Sequence, residues 1–214
     1  MRRPAPLAKD TNAPESSDCV PRFWTLLVGV ESDLFEDQIG LYGRIYERYP
    51  LDYAIGSIHF LDSLSVMKPK NLKMAEEEHR LATAKRYAQL LRLGIESGWV
   101  QIIGHIDGFK RGYGRFGKLL SPYIDGLLQR LAEKGVAMEV NTNGLHHACR
   151  EWYPSTDVIE RAVFHGVNLT FGSDAHDPGR IAEGWEQVRR TLIAAGCKRC
   201  VIFRRRQAHY IDLN

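Results

Sequence analysis

Ile102-Ile103-Gly104-His105 places an imidazole directly after a short β-branched apolar run, and three other segments end in the same way. They are Leu26-Leu27-Val28-Gly29-Val30-Glu31, Ile55-Gly56-Ser57-Ile58-His59 and Phe171-Gly172-Ser173-Asp174-Ala175-His176. Short runs rich in Val and Ile and flanked by glycine read as buried parallel strands. In parallel α/β barrels the chemistry sits where the strands end, so Glu31, His59, His105, Asp174 and His176 are expected to converge on one face.

The rest of the chain supports that alternation. Strands are expected near residues 24–30, 52–59, 99–104, 136–141, 167–172 and 199–204, and amphipathic helical patterns lie near 34–48, 73–97, 118–134, 156–164 and 179–196. Gly135 after Leu131-Ala132-Glu133-Lys134, and Gly196 after Ala194-Ala195, are placed as helix C-terminal glycines with a strand following. Strand then helix, repeated, predicts a parallel α/β sheet or barrel. Before it, Pro4, Pro6, Pro14 and Pro21 with Asn12, Ser16 and Ser17 make residues 1–21 an expected disordered leader, leaving 22–214 as one domain.

Bulk properties narrow the class without fixing the activity. The chain has 214 residues, 44% of them hydrophobic, which suffices for a full core. The net charge of +3 is spread among acidic residues, so no nucleic-acid footprint is expected. No apolar stretch approaches the roughly 20 residues that cross a bilayer, and no secretory segment opens the chain. A cytoplasmic enzyme is the expectation. Cys197-Lys198-Arg199-Cys200 has half of a zinc-site spacing, but Cys19 and Cys149 supply no matching pair, so it reads as coincidence within a strand.

Imidazole and carboxylate donors suit Zn, Fe and Mn, and a carboxylate can bridge two cations. Two such ions clamp a phosphate and lower the pKa of a water. Glu31 is the candidate bridge, His59 and His105 are candidate ligands, and Asp174 and His176 could serve neighbouring ions or the leaving group. Each residue alone has a plainer reading: a hydrogen-bonded strand-end histidine, or for Glu31 and Asp174 a partner of a helix N-terminus. His146, the adjacent His147, Lys110 and Arg111 are further candidates for a phosphate, with ordinary loop or surface roles as the alternative. His79, in Glu76-Glu77-Glu78-His79-Arg80, reads as a solvated helix residue, and Arg204-Arg205-Arg206 as either a substrate contact or a solvated strand end.

Val28-Gly29-Val30-Glu31-Ser32-Asp33, Asp52-Tyr53-Ala54-Ile55-Gly56-Ser57-Ile58-His59-Phe60, Gly104-His105-Ile106-Asp107, Glu139-Val140-Asn141-Thr142-Asn143-Gly144-Leu145, Tyr153-Pro154-Ser155 and Gly172-Ser173-Asp174-Ala175-His176 together resemble the polymerase and histidinol phosphatase (PHP) family. The histidinol-phosphate phosphatase branch is the nearest match. The resemblance runs over about residues 25–206, in order. It implies an α/β fold, a distorted TIM-like (β/α)7 barrel of the PHP type, with up to three divalent ions (Zn, Fe or Mn). It also implies a small phosphorylated substrate, L-histidinol phosphate, hydrolysed in histidine biosynthesis. By that resemblance Glu31 bridges two metals, His59 and His105 complete one, Asp174 joins the other and His176 reaches the third, with Asp174 and His176 as the catalytic pair. The family opens with a His-x-His strand, whereas the first histidine here is His59. The barrel is therefore expected to be incomplete at the N-terminus, and a non-catalytic relative or a fragment of a complete enzyme is the alternative reading.

Overall fold

The computed structural model describes residues 25–61, 64–68, 77–111 and 117–213. The expected leader over residues 1–21 lies outside the described residues, as does the question of a strand before Glu31. The elements run β1 (Gly29–Asp33), α1 (Ile39–Tyr46), β2 (Tyr53–Ser57), β3 (Phe60–Leu61), β4 (Leu64–Ser65), α2 (Glu77–Glu96), β5 (Ile102–Ile103), α3 (Gly117–Lys134), β6 (Ala137–Asn141), α4 (Thr156–Phe164), β7 (Leu169–Gly172), α5 (Trp185–Ala194), β8 (Arg199–Arg204) and β9 (Gln207–Asp212). Strands β1, β2, β5, β6 and β7 form one parallel sheet in that spatial order.

Helix α2 shows why the amphipathic reading holds. Glu77 and Glu78 sit in its first turn, where they complement the helix dipole, and Ala84, Tyr87, Ala88, Leu91 and Ile95 fall on one face and are buried. Gly135 closes α3 at φ +68°, a conformation that costs glycine nothing.

The pleat of the sheet sorts its residues into two layers. On β6, Met138 and Val140 join the main core of Leu34, Tyr87, Leu91, Ile103, Leu128 and Leu169, while Ala137 joins a smaller cluster with Ile102, Val201 and Phe203. Tyr53 and Ile55 pack against that second cluster, so the inner face is apolar at the start of the strands. Polar side chains occupy the other end, because Ser57, Glu139 and Asn141 are the later residues on the strands and are buried.

Two expectations are corrected here. The run near 199–204 was expected to be another parallel strand; instead β8 pairs antiparallel with β9, from Arg199 opposite Asp212 to Arg204 opposite Gln207. Arg205 and Arg206 both take positive φ, 48° and 64°, which makes the tight hairpin turn that reverses the chain. Asp52, just before β2, accepts from the Arg205 N–H through Oδ1 at 2.9 Å and from the Arg206 N–H through its carbonyl at 2.8 Å. The Arg204–Arg206 corner therefore lies at the beginning of the parallel strands, away from their ends. The second correction concerns the count. Among the described residues five parallel strands are laddered where the sequence suggests six, and two antiparallel pairs, β3–β4 and β8–β9, accompany them.

Candidate metal centre

Three strands deliver the central donors. Parallel register sets Glu31 beside Ile55, two residues before Ser57, whose hydroxyl donates to Glu31 Oε1 at 2.6 Å. His59 lies two residues beyond the end of β2; its backbone N–H donates to Asp33 Oδ1 at 2.6 Å. His105 lies two residues beyond β5, at φ +23°, and its N–H donates to Glu139 Oε2 at 3.0 Å. Both ring Nε2 atoms then face Glu31 Oε1, at 3.2 Å from His105 and 3.7 Å from His59. One donor atom from each of the three residues lies within 4.8 Å of the others.

That convergence needs room for Glu139. A Cβ at Gly172 would stand 2.0 Å from Glu139 Oε1, and one at Gly104 would stand 2.4 Å from Ser57 Oγ. Both positions must stay bare for the inner layer to form. Gly172→Ala is expected to destabilise the fold by about 1–3 kcal/mol through overpacking and to displace the carboxylate that holds the His105 backbone. Urea unfolding together with zinc titration checks this; unchanged values in both would mean that Glu139 moves aside freely.

Negative charge outweighs positive around the two rings. Burial would raise the Glu31 carboxyl, but the hydrogen bond and charge of His105, the Ser57 hydroxyl and the charge of His59 hold it down at about 2. Burial would lower His105, yet the Glu31 hydrogen bond and the charges of Glu139, Glu31 and Asp174 raise it. Glu139 is raised by burial, against the pull of His105. Two imidazoles neighboured by the carboxyl groups of Glu31, Asp33, Glu139 and Asp174 form a site that favours a further positive charge.

The donors open into a cleft of about 410 Å³ lined by Arg111, Asn143, His147, Asp174, His176 and Arg180 among others. Asp174 follows β7 with φ +48°, and its Oδ2 accepts from Asn143 Nδ2 at 2.9 Å. His176 reaches the cleft but stays exposed, with Nδ1 2.9 Å from the Asp174 carbonyl. Glu31 and Asp174 also line a second space of about 360 Å³ on the inner face of the sheet. Of the five strand-end candidates, Glu31, His59 and His105 form one compact set, while Asp174 and His176 share the cleft without joining it.

The remaining candidates divide. Arg111 lines the cleft. Lys110 does not, because Asp107 at 2.9 Å and Glu151 at 3.1 Å hold its ammonium in a buried pair. His146 turns to Glu183 at 3.1 Å, whereas the adjacent His147 enters the cleft with a buried Nε2 that has no protein partner. Adjacent residues point apart, and the short helical turn Thr142–His146 decides which one faces inward. The cleft also takes Asn143 and Tyr153, quoted above within motifs but given no site role, and Arg180, which the sequence does not mark. Tyr153 arrives through paired backbone hydrogen bonds with Asn141 at 2.7 and 2.9 Å. Arg180 Nη2 donates to Asn143 Oδ1 at 3.0 Å. Cys200 is buried in β8, where burial pushes its thiol up to about 12, in keeping with its reading as a strand residue, while Cys197 precedes the strand.

No protein-family profile matches the chain. A Deinococcus radiodurans protein named a probable histidinol-phosphatase is 29% identical over 182 residues, covering 84% of this chain and 68% of that protein. The Bacillus subtilis histidinol-phosphatase is 28% identical over 189 residues, covering 76% of this chain and 67% of that protein. Across the curated relatives the match spans 60% to 68% of their length. In fold, the chain is similar to a crystal structure of histidinol phosphate phosphatase from Lactococcus lactis complexed with zinc, L-histidinol and phosphate. That likeness has a TM-score of 0.67 at 17% identity and covers 84% of this chain and 70% of that one.

Proposed function

We propose that the chain is a divalent-metal-dependent phosphomonoesterase of the PHP type, acting on L-histidinol phosphate in the cytoplasm. The observation that carries this reading is the convergence of Glu31 Oε1, His59 Nε2 and His105 Nε2 at the mouth of a cleft that also holds Arg111 and Arg180. Similarity to curated histidinol-phosphatases supplies the substrate. Among the described residues no helix is long and apolar enough to cross a membrane.

Two imidazole nitrogens and a carboxylate oxygen are the borderline donors that Zn, Fe or Mn accept, and the surrounding carboxylates favour a cation, so the residues fit a metal. When bound, such an ion supplies Lewis acidity toward a phosphoryl oxygen and acidifies a water. The protein's own groups do the rest. Ser57 fixes the face that Glu31 presents. Arg111 and Arg180 place positive charge where a phosphate dianion would enter, and Asn143 ties Arg180 to Asp174. Asp174 or His176 holds the proton that the departing histidinol alkoxide takes up. Glu31, facing two spaces, is the group able to serve a second ion beside Asp174.

Phosphate release from L-histidinol phosphate, with zinc or manganese added and several other phosphomonoesters in parallel, tests the reading. Turnover abolished by a chelator and restored by metal is expected, with about one tightly held ion per chain, because one three-donor set is compact. Cleavage of another phosphomonoester alone would overturn the substrate. Turnover insensitive to chelation would overturn the mechanism, and three stoichiometric ions would overturn the metal count.

A further inference from the structure

We infer that Asp33 sets the tautomer of His59 and so keeps the metal-facing nitrogen of that ring free of a proton. The inference rests on the proposed role of His59 as a metal ligand. Asp33 is a positioning residue here, acting on a metal through another side chain.

The geometry is specific. Asp33 Oδ1 accepts the His59 backbone N–H at 2.6 Å, which fixes the orientation of the carboxylate. Both of its oxygens, Oδ2 and Oδ1, then lie 3.3 Å from the ring Nδ1 of the same histidine. An ionised carboxylate only accepts, so the ring nitrogen facing it must be the one that carries hydrogen. In a neutral imidazole the other nitrogen is then bare, and that nitrogen, Nε2, is the one facing Glu31 at 3.7 Å. His105 provides the contrast. Its Nε2 also faces Glu31, but its Nδ1 is buried with no hydrogen-bond partner in the structure. Of the two imidazoles, His59 alone is oriented by a carboxylate through its Nδ1, so the tautomer control of the site falls to Asp33.

Asp33→Asn makes a sharp test because it is isosteric and reverses one contact. The backbone N–H of His59 still selects the oxygen of the new carboxamide. The amide nitrogen then takes the place of Oδ2, so Nδ1 faces one neutral acceptor and one donor instead of a carboxylate, and the ring proton shifts toward Nε2. The experiment is ¹⁵N NMR of histidine-labelled, chelator-treated protein at a pH where imidazoles are neutral, with the His59 signals assigned by their loss in His59→Gln and the fold checked from the backbone amide spectrum. Zinc is then titrated into the same samples.

In the unsubstituted protein, hydrogen is expected on Nδ1 of His59 and none on Nε2, and Asp33→Asn is expected to move hydrogen toward Nε2 and to weaken zinc binding by about 10–100-fold. Hydrogen on Nε2 in the unsubstituted protein would overturn the inference without any variant, as would an Asp33→Asn ring whose tautomer populations are unchanged. A shifted tautomer with unaltered zinc affinity would support Asp33's control of the ring and overturn His59 as a ligand, so the two ideas fail separately.

Discussion

His105→Ala is expected to lower zinc affinity by more than about 100-fold, since loss of even an outer partner of a ligand costs about 10–100-fold. The ring supplies one of three convergent donors, and among the described residues no histidine besides His59 and His105 joins that set. Loss of the ion removes several kcal/mol of charge stabilisation, so kcat/KM on L-histidinol phosphate should fall by roughly 10³ or more. His79→Ala is the control. His79 is exposed on α2, and its backbone carbonyl accepts from Thr83 Oγ1 at 2.7 Å. Metal analysis and turnover of both variants, with folding verified by circular dichroism, decide the matter. Equal losses in the two would mean that general destabilisation has been mistaken for ligation, and a full metal complement in His105→Ala would sink the site.

Lys110→Met is expected to destabilise the protein by about 3–5 kcal/mol while leaving the metal donors in place. The side chains of Lys110 and Asp107 are only 2% and 3% exposed, and their ion pair is 2.9 Å long. Burial already raises the Asp107 carboxyl, with Lys110 as the chief opposing influence. Both Lys110 and the Ser155 N–H engage Oδ2, so removing the ammonium leaves the buried carboxylate with the Ser155 N–H at 3.1 Å as its remaining hydrogen bond. For a chain of this size the loss corresponds to a fall in Tm of roughly 6–20 °C. Lys134→Met, which breaks an exposed pair with Glu96, should change stability by less than about 1 kcal/mol. Similar small shifts for both would show that Asp107 is solvated. The pair also explains why Gly104-His105-Ile106-Asp107 acts as a unit. His105 faces the cleft, while Asp107 ties the following turn to Ser155 at the entrance of α4.

Much of this was readable from residue order because the signals are local. The strands at 53–57, 102–103, 137–141 and 169–172 fall inside the runs expected from apolar content, and the helices at 77–96, 117–134 and 156–164 follow their hydrophobic period. Strand β1 sits several residues later than its apolar run suggests, since Gly29–Asp33 is the part that registers with β2 whereas Leu26 remains 87% exposed. The β8–β9 hairpin escaped because its turn is Arg205-Arg206, without the Asn-Gly or Asp-Gly signature that marks such a reversal.

What the sequence determined by itself was the alternation of strand and helix and the set of strand-end residues from which a metal centre could be drawn. Both follow from periodicity, which is written along the chain. The tertiary structure decided membership. It brought Glu31, His59 and His105 within one ion's reach, left His176 at the rim, turned His147 inward and His146 outward, and buried Lys110 against Asp107. Spacing along the chain sets only where a side chain leaves the backbone. Strand register, a left-handed φ at His105 and Asp174, and competition for the nearest opposite charge set where it ends, and those depend on residues distant in sequence.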